Sequence, residues 1–115
     1  MAVDRQPLEQ MVLDVGGDAF QRLARLFEEE TRGAVVALRQ LLIAADWREL
    51  GRQAHSLKHA TSSFGLGVLA AIAARIEQAA DAQEAAVAAA GIAALEAAAE
   101  TELAALDEVL QAIGT

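Results

Sequence analysis

From residue 20 to residue 45 one side of the chain repeats with a three/four spacing: Phe20, Leu23, Phe27, Thr31, Ala34, Leu38, Leu41 and Ala45. Only an α-helix, with ~3.6 residues per turn, puts all of these on one face, and the run is long enough for about seven turns. Leu26, Val35 and Leu42 widen the stripe, which predicts contact with two neighbouring helices. A helix with so broad an apolar face must be covered, so the rest of the chain has to supply its partners. Composition fits that demand. Hydrophobic residues make up 55% but aromatics only 3%, there is one Pro, and Ala, the best helix former, is in excess. Clusters of Val, Thr and Tyr that favour strands are absent, and the expected fold is all-α.

The remaining segments carry the same signature. Residues 7–15 place Leu8, Met11 and Val12 on one side. They predict a short helix across the bundle end, opened by Pro7 and closed by Gly16 and Gly17. Asp18 with Gln21, Asp46 with Glu49 and Asp81 with Glu84 each have the spacing of a capping box, and each is expected to open a helix. Glu28, Glu29, Glu30 and Arg32 are expected to form a solvated face. The helix after Asp46 carries Trp47, Leu50, Ala54, Leu57, Thr61 and Phe64, with Gly65 and Gly67 as its stop. Next come Val68, Leu69, Ile72, Ile76 and Ala79, and then Ile92, Leu95, Ala99, Leu103, Leu106, Leu110 and Ile113. The Ala-rich stretch before Leu95 has the composition of a close-packed helix, not a linker. Short turns between long helices predict one domain over residues 1–115: an antiparallel up-down four-helix bundle with a short extra N-terminal helix.

Charge and missing residue types exclude several functions. A net charge of −8 with no Lys/Arg-rich run argues against nucleic acid as a partner. With no Cys there is no disulfide framework, thiol nucleophile or Cys-based zinc site. The first ten residues lack a secretory pattern, and the longest uncharged run, 85–95, falls short of the ~18 residues of a spanning helix. A cytoplasmic protein with no membrane partner is expected. The initiating Met and the full bundle pattern favour a free-standing protein, and a monomer is expected.

Advancing ~100° per residue along the helix of residues 47–64 sets His55 well off the apolar stripe. Arg48, Gly51, Arg52, Lys58, His59 and Ser62 share its face. That face holds three fixed positive charges and no carboxylate other than Glu49 at its margin, the reverse of the protein as a whole. Its sign suits a phosphoryl group or a partner whose own site is ringed by carboxylates. His55 should lean over the turn holding Gly51, which would leave open space beside the imidazole. A neutral imidazole has one ring nitrogen with a free lone pair, able to attack phosphorus without a strong base. Phosphoryl transfer has a loose transition state, so positioning and charge neutralisation do most of the work, and Lys58 is placed to serve as the neutralising point charge. No Gly-rich nucleotide loop, Walker-type lysine or Asp pair for magnesium is present, so the chain is expected to supply neither donor nor metal. On spacing alone His55 also reads as an ordinary surface histidine, and the basic residues as a solvated face. His55 and His59, four apart, could hold one ion, but no third ligand lies nearby in sequence. Ser62 and Ser63 read as hydroxyls that satisfy backbone groups near the helix end.

The segment Ala54-His55-Ser56-Leu57-Lys58, with Gly65, Leu69 and Ile76-Glu77 after it, resembles the signature of histidine-containing phosphotransfer (HPt) domains. There an H-x-L-K-G box precedes a helix-ending Gly and then a Leu and a Leu-Glu pair. Leu26-Phe27-Glu28-Glu29 and Ala44-Ala45-Asp46, with Leu50 and Ala54, extend the likeness upstream. The resemblance implies a phosphorelay intermediate of two-component signalling. His55 would accept a phosphoryl group from a receiver domain's phospho-aspartate and pass it to another receiver, with Lys58 as the stabilising cation. The partners implied are response-regulator receiver domains or a hybrid sensor kinase, and the receiver brings the acidic pocket and the Mg²⁺. Phe64 and the apolar positions near the first helix are implied as a docking patch. One departure stands out: His59 takes the place of the usual Gly, and is expected to tune which receivers can approach. Two other readings stay open. One is a non-catalytic receiver-binding or helical interaction module, and the other is metal binding by His55 and His59.

Overall fold

The computed structural model describes residues 3–113. Expectations that touch residues 1, 2, 114 and 115, the initiating Met among them, lie outside the described residues. Five helices follow in order: α1 (Arg5–Val15), α2 (Gly17–Ile43), α3 (Trp47–Ser63), α4 (Gly67–Asp81) and α5 (Ala85–Ile113). The long helix α2 touches both α3 and α5, as its widened stripe predicted, and α4 also lies against α3 and α5. The short α1 packs on α2 and α5.

The core is aliphatic, as the scarcity of aromatic residues requires. Phe20, Leu38, Leu50, Leu69, Ile76, Ile92, Leu95, Leu103 and Leu106 are wholly buried, with Ala24, Ala54, Ala73 and Ala88 between them. Small residues let the helices approach closely. At Gly91 of α5 an added Cβ would lie 2.8 Å from Cγ1 of Ile76 on α4, so that crossing is set by the missing side chain. Three members of the predicted stripes face outward instead: Leu23, Leu26 and Val68 are 45%, 50% and 43% exposed. Ala24, which the spacing left out, takes an inward place on α2, while Val35 is buried as the widened stripe predicted.

The helix ends follow the expected chemistry only in part. Asp46 does cap α3, its Oδ1 accepting from the Glu49 amide at 3.3 Å. The Glu49 side chain does not reach back; it takes Arg52 and Gln53 instead. Asp18 is not a cap: α2 already starts at Gly17 after Gly16, and Gln21 points across to the Leu110 carbonyl. Nor does Asp81 open the last helix. It is the final residue of α4, and the turn that follows places Gln83 at φ 53° before α5 begins at Ala85. Asp4, not Pro7, starts α1, with its side chain accepting from the Gln6 amide. Pro7 sits within the first turn, where a missing N–H still costs nothing. Ala45 falls in the α2–α3 turn at φ 54°, outside the stripe that it was expected to end.

Gly65 ends α3 in the left-handed region at φ 75°, whereas Gly67 is the first residue of α4. A Cβ at Gly65 would collide with the Asp4 carbonyl, because the N-terminal segment crosses this turn. Asp4 N–H donates to the Gly65 carbonyl at 2.8 Å, and Val3 and Leu66 form an isolated antiparallel bridge. The turn joining the histidine helix to its closest neighbour is thereby clamped.

Candidate functional site

His55 stands on α3 between two concavities. Toward α2 runs a mostly apolar groove of ≈360 Å³, whose walls include Phe27, Ala34, Ala37, Ser56, Leu57 and Ala60. Toward α4 opens a charged cleft of ≈400 Å³, lined by Arg48, Gly51, Arg52, His55, Ser56, Glu77 and Asp81. Ser56 belongs to both, so the imidazole lies where an apolar surface meets a polar one.

The cleft departs from the all-basic face that one helix alone implied, because α4 contributes two carboxylates. Glu77 is the central one. Its Oε2 lies 2.8 Å from His55 Nδ1 and its Oε1 accepts from Lys58 Nζ at 2.9 Å. The side chain is 22% exposed, and its carboxyl is held below the usual carboxylate range, first by the Lys58 hydrogen bond and then by His55. An ionised carboxylate can only accept, so His55 Nδ1 carries the proton and the lone pair of the neutral ring is on Nε2. The side chain of His55 is half exposed, so Nε2 can be reached from outside.

Around this centre the predicted residues take different parts. Lys58 is half-buried and reaches across to α4 instead of standing in solvent. Arg52 pairs with Glu49 on its own helix at 3.1 Å. Arg48 borders the cleft and makes no ion pair among the described residues. Gly51 is buried and lines the cleft together with His55. The direction a side chain would take points at α4, meeting Asp81 Oδ1 at 3.4 Å and the Ala80 Cβ at 3.7 Å, both ordinary contacts. His59 turns its Nε2 to within 3.0 Å of the His55 Nε2, with the two rings edge to face. Ser62 is exposed on the same helix, and Ser63 donates to the His59 carbonyl as expected. Phe64 is half-buried and stacks on Phe27, ring centroids 4.1 Å apart, where it buttresses one end of the apolar groove.

Two features escaped the single-helix reading. Glu77 was part of the motif but had no part in the chemistry, since only the packing of α4 on α3 brings it under His55. Glu28 was placed on a solvated face, yet it is buried at the α2–α5 seam. Burial and the adjacent Asp107 push its carboxyl up to about 7, against smaller opposing effects of Arg32 and Arg25. Among the described residues no group of three or more His, Cys, Asp or Glu side chains converges on a point where a metal could sit. No helix among them is long and apolar enough to cross a membrane.

No curated protein and no solved structure matches the chain. A family model does: that of the Hpt domain matches residues 22–113, which takes in most of α2, all of α3 to α5 and every residue of the cleft. With an exposed histidine oriented by a glutamate from the next helix, and a match over most of its length, the chain belongs to the Hpt domain family, whose general role is histidine phosphotransfer in phosphorelays.

Proposed function

We propose that His55 is the residue phosphorylated in this chain. It would take the phosphoryl group from a receiver's phospho-aspartate and return it to the aspartate of another receiver. The observation that carries this reading is the hydrogen bond of His55 Nδ1 to Glu77, which leaves the exposed Nε2 as the nucleophile. In the forward step the Nε2 lone pair forms the P–N bond while the P–O bond to the aspartyl carboxyl breaks, and the electrons of that bond leave with the carboxylate. The phosphorylated ring, still protonated at Nδ1, carries positive charge directly against the Glu77 carboxylate, which stabilises it. The Lys58 ammonium, one turn from His55, neutralises phosphoryl oxygens, and Arg48 adds charge at the rim. The receiver supplies Mg²⁺ and the acidic pocket. An up-down antiparallel order of α2 to α5, joined by their short turns, is the arrangement that would hold this site.

The receiver would dock across α2 and α3. The apolar groove and the exposed Leu23 and Leu26 beyond it provide the surface, with Phe64 as its support. Arg48, Gly51, Arg52, His59 and Ser62 would meet the receiver's acidic rim, and a side chain at position 59 would narrow the choice of partner. A cytoplasmic monomer would meet the cell's receivers with this face open.

Mixing the protein with phosphorylated receivers tests this directly. The expected product is an acid-labile, base-stable phosphoprotein that His55→Gln abolishes while its circular dichroism is retained. Receiver binding that survives His55→Ala, with no phosphorylated form ever trapped from the unaltered protein, would make the chain a docking module instead.

A further inference from the structure

His59 makes a contact that the relay reading does not use. Its Nε2 lies 3.0 Å from the Nε2 of His55, the very atom that would attack phosphorus. Two ring nitrogens at that distance share one proton, since two lone pairs would repel and two N–H groups would clash. The other side of the His55 ring decides which nitrogen carries it. Glu77 uses Oε1 for Lys58 and Oε2 for His55, so the His55 proton is on Nδ1, and the shared proton belongs to His59. The His59 backbone is fixed within α3, and both rings are exposed, so solvent and partners reach the pair.

We propose that His59 is a positioning residue that caps the attacking nitrogen of His55, donating an Nε2–H hydrogen bond to its lone pair until an incoming phosphoryl group displaces the ring. This rests on the relay reading for its biological sense, though not for its test. The cap is reversible and consumes nothing. As His59 swings away it keeps its proton, and the freed His55 lone pair makes the P–N bond. The consequence is selectivity: a small or poorly docked phosphoryl donor has to compete with the cap, whereas a receiver seated over α3 can hold the His59 ring aside.

The test needs no receiver. In uniformly ¹⁵N-labelled protein at about pH 8, above the ordinary imidazole range, a through-hydrogen-bond ¹⁵N–¹⁵N coupling is expected between the two Nε2 atoms. Phosphoramidate then serves as a bare donor: its P–N bond breaks, ammonia leaves with the bonding pair, and ³¹P spectra follow the label on His55. His59→Ala should be labelled about three- to tenfold faster than the unaltered protein, the rate equivalent of one net hydrogen bond. His59→Gln, whose side-chain amide N–H can donate from a similar reach, should return the rate toward the original. Absence of the coupling, or equal labelling rates in all three proteins, overturns the cap. Transfer from a phosphorylated receiver, measured separately on the same samples, tells a failure of the cap from a failure of the relay reading.

Discussion

Glu77 and Glu28 both lie at helix seams, and their surroundings send them in opposite directions. Glu77, at the α3–α4 seam, faces a lysine and a histidine and is held ionised. Glu28, at the α2–α5 seam, faces Asp107 from a more buried position, and its carboxyl is pushed up to about 7. The residue type is the same; what differs is the sign of the neighbour across the seam. A carboxylate beside cations keeps its charge and can orient an imidazole, whereas a buried one beside another acid holds its proton up to about pH 7.

The contrast can be broken at each end. The largest effect is expected from Glu77→Ala, which removes the group that fixes the His55 tautomer. Phosphoryl acceptance from a receiver should fall about 10–100-fold, the size usual when a carboxylate that orients a reactive imidazole is lost. Timed labelling of the protein by a phosphorylated receiver measures it. An unchanged rate would mean that Glu77 only braces α4 against α3.

At the other seam, Glu28→Gln should stabilise the protein by about 1–2 kcal/mol above pH 7 and change little near pH 4.5, as read from denaturant midpoints. The sign follows from proton counting. With its carboxyl raised to about 7, folded Glu28 binds more protons than the unfolded chain between pH 4.5 and 7. Stability thus declines as pH rises through that window, and the amide escapes the decline. Glu77 has the opposite slope: its contribution is present above the ordinary carboxylate range and is lost as pH falls through its lowered value. Subtracting the pH profile of each single variant from that of the unaltered protein should show the two slopes with opposite sign.

The smallest effect sharpens the geometry of the α3–α4 seam. A Cβ at Gly51 meets only ordinary contacts with Asp81 and Ala80, so Gly51→Ala should raise the melting midpoint by the equivalent of about 0.5–1 kcal/mol through helix propensity. A loss of stability would show that the helices lie closer there than 3.4 Å contacts imply.

Much of this was legible in the sequence. The α3 and α5 stripes, the exposure of His55 and the Asp46 cap needed only periodicity and local hydrogen-bonding chemistry. What escaped was whatever depends on a second helix. Asp81 and Glu84 have the spacing of a capping box, but the sequence does not say that α4 continues through Asp81 and that the chain turns only afterwards. Glu28 opens a run of three glutamates in sequence, and its burial and Asp107, far along the chain, explain its proton. The His55–His59 spacing was visible, but the direction of their shared hydrogen bond follows from Glu77, which α4 delivers.

The clamp between Asp4 and Gly65 also bears on folding order and on opening. Its two halves are separated in sequence by all of α1, α2 and α3, so closing it orders a long loop for a single backbone hydrogen bond and a bridge. The α3–α4 pair, built from near neighbours, should therefore form before the amino-terminal segment settles on it, and should outlast it when the molecule breathes. The Asp4 amide, whose hydrogen points at Gly65, then becomes a reporter. Its exchange with solvent reads the detachment of the amino-terminal segment while the histidine helix remains folded.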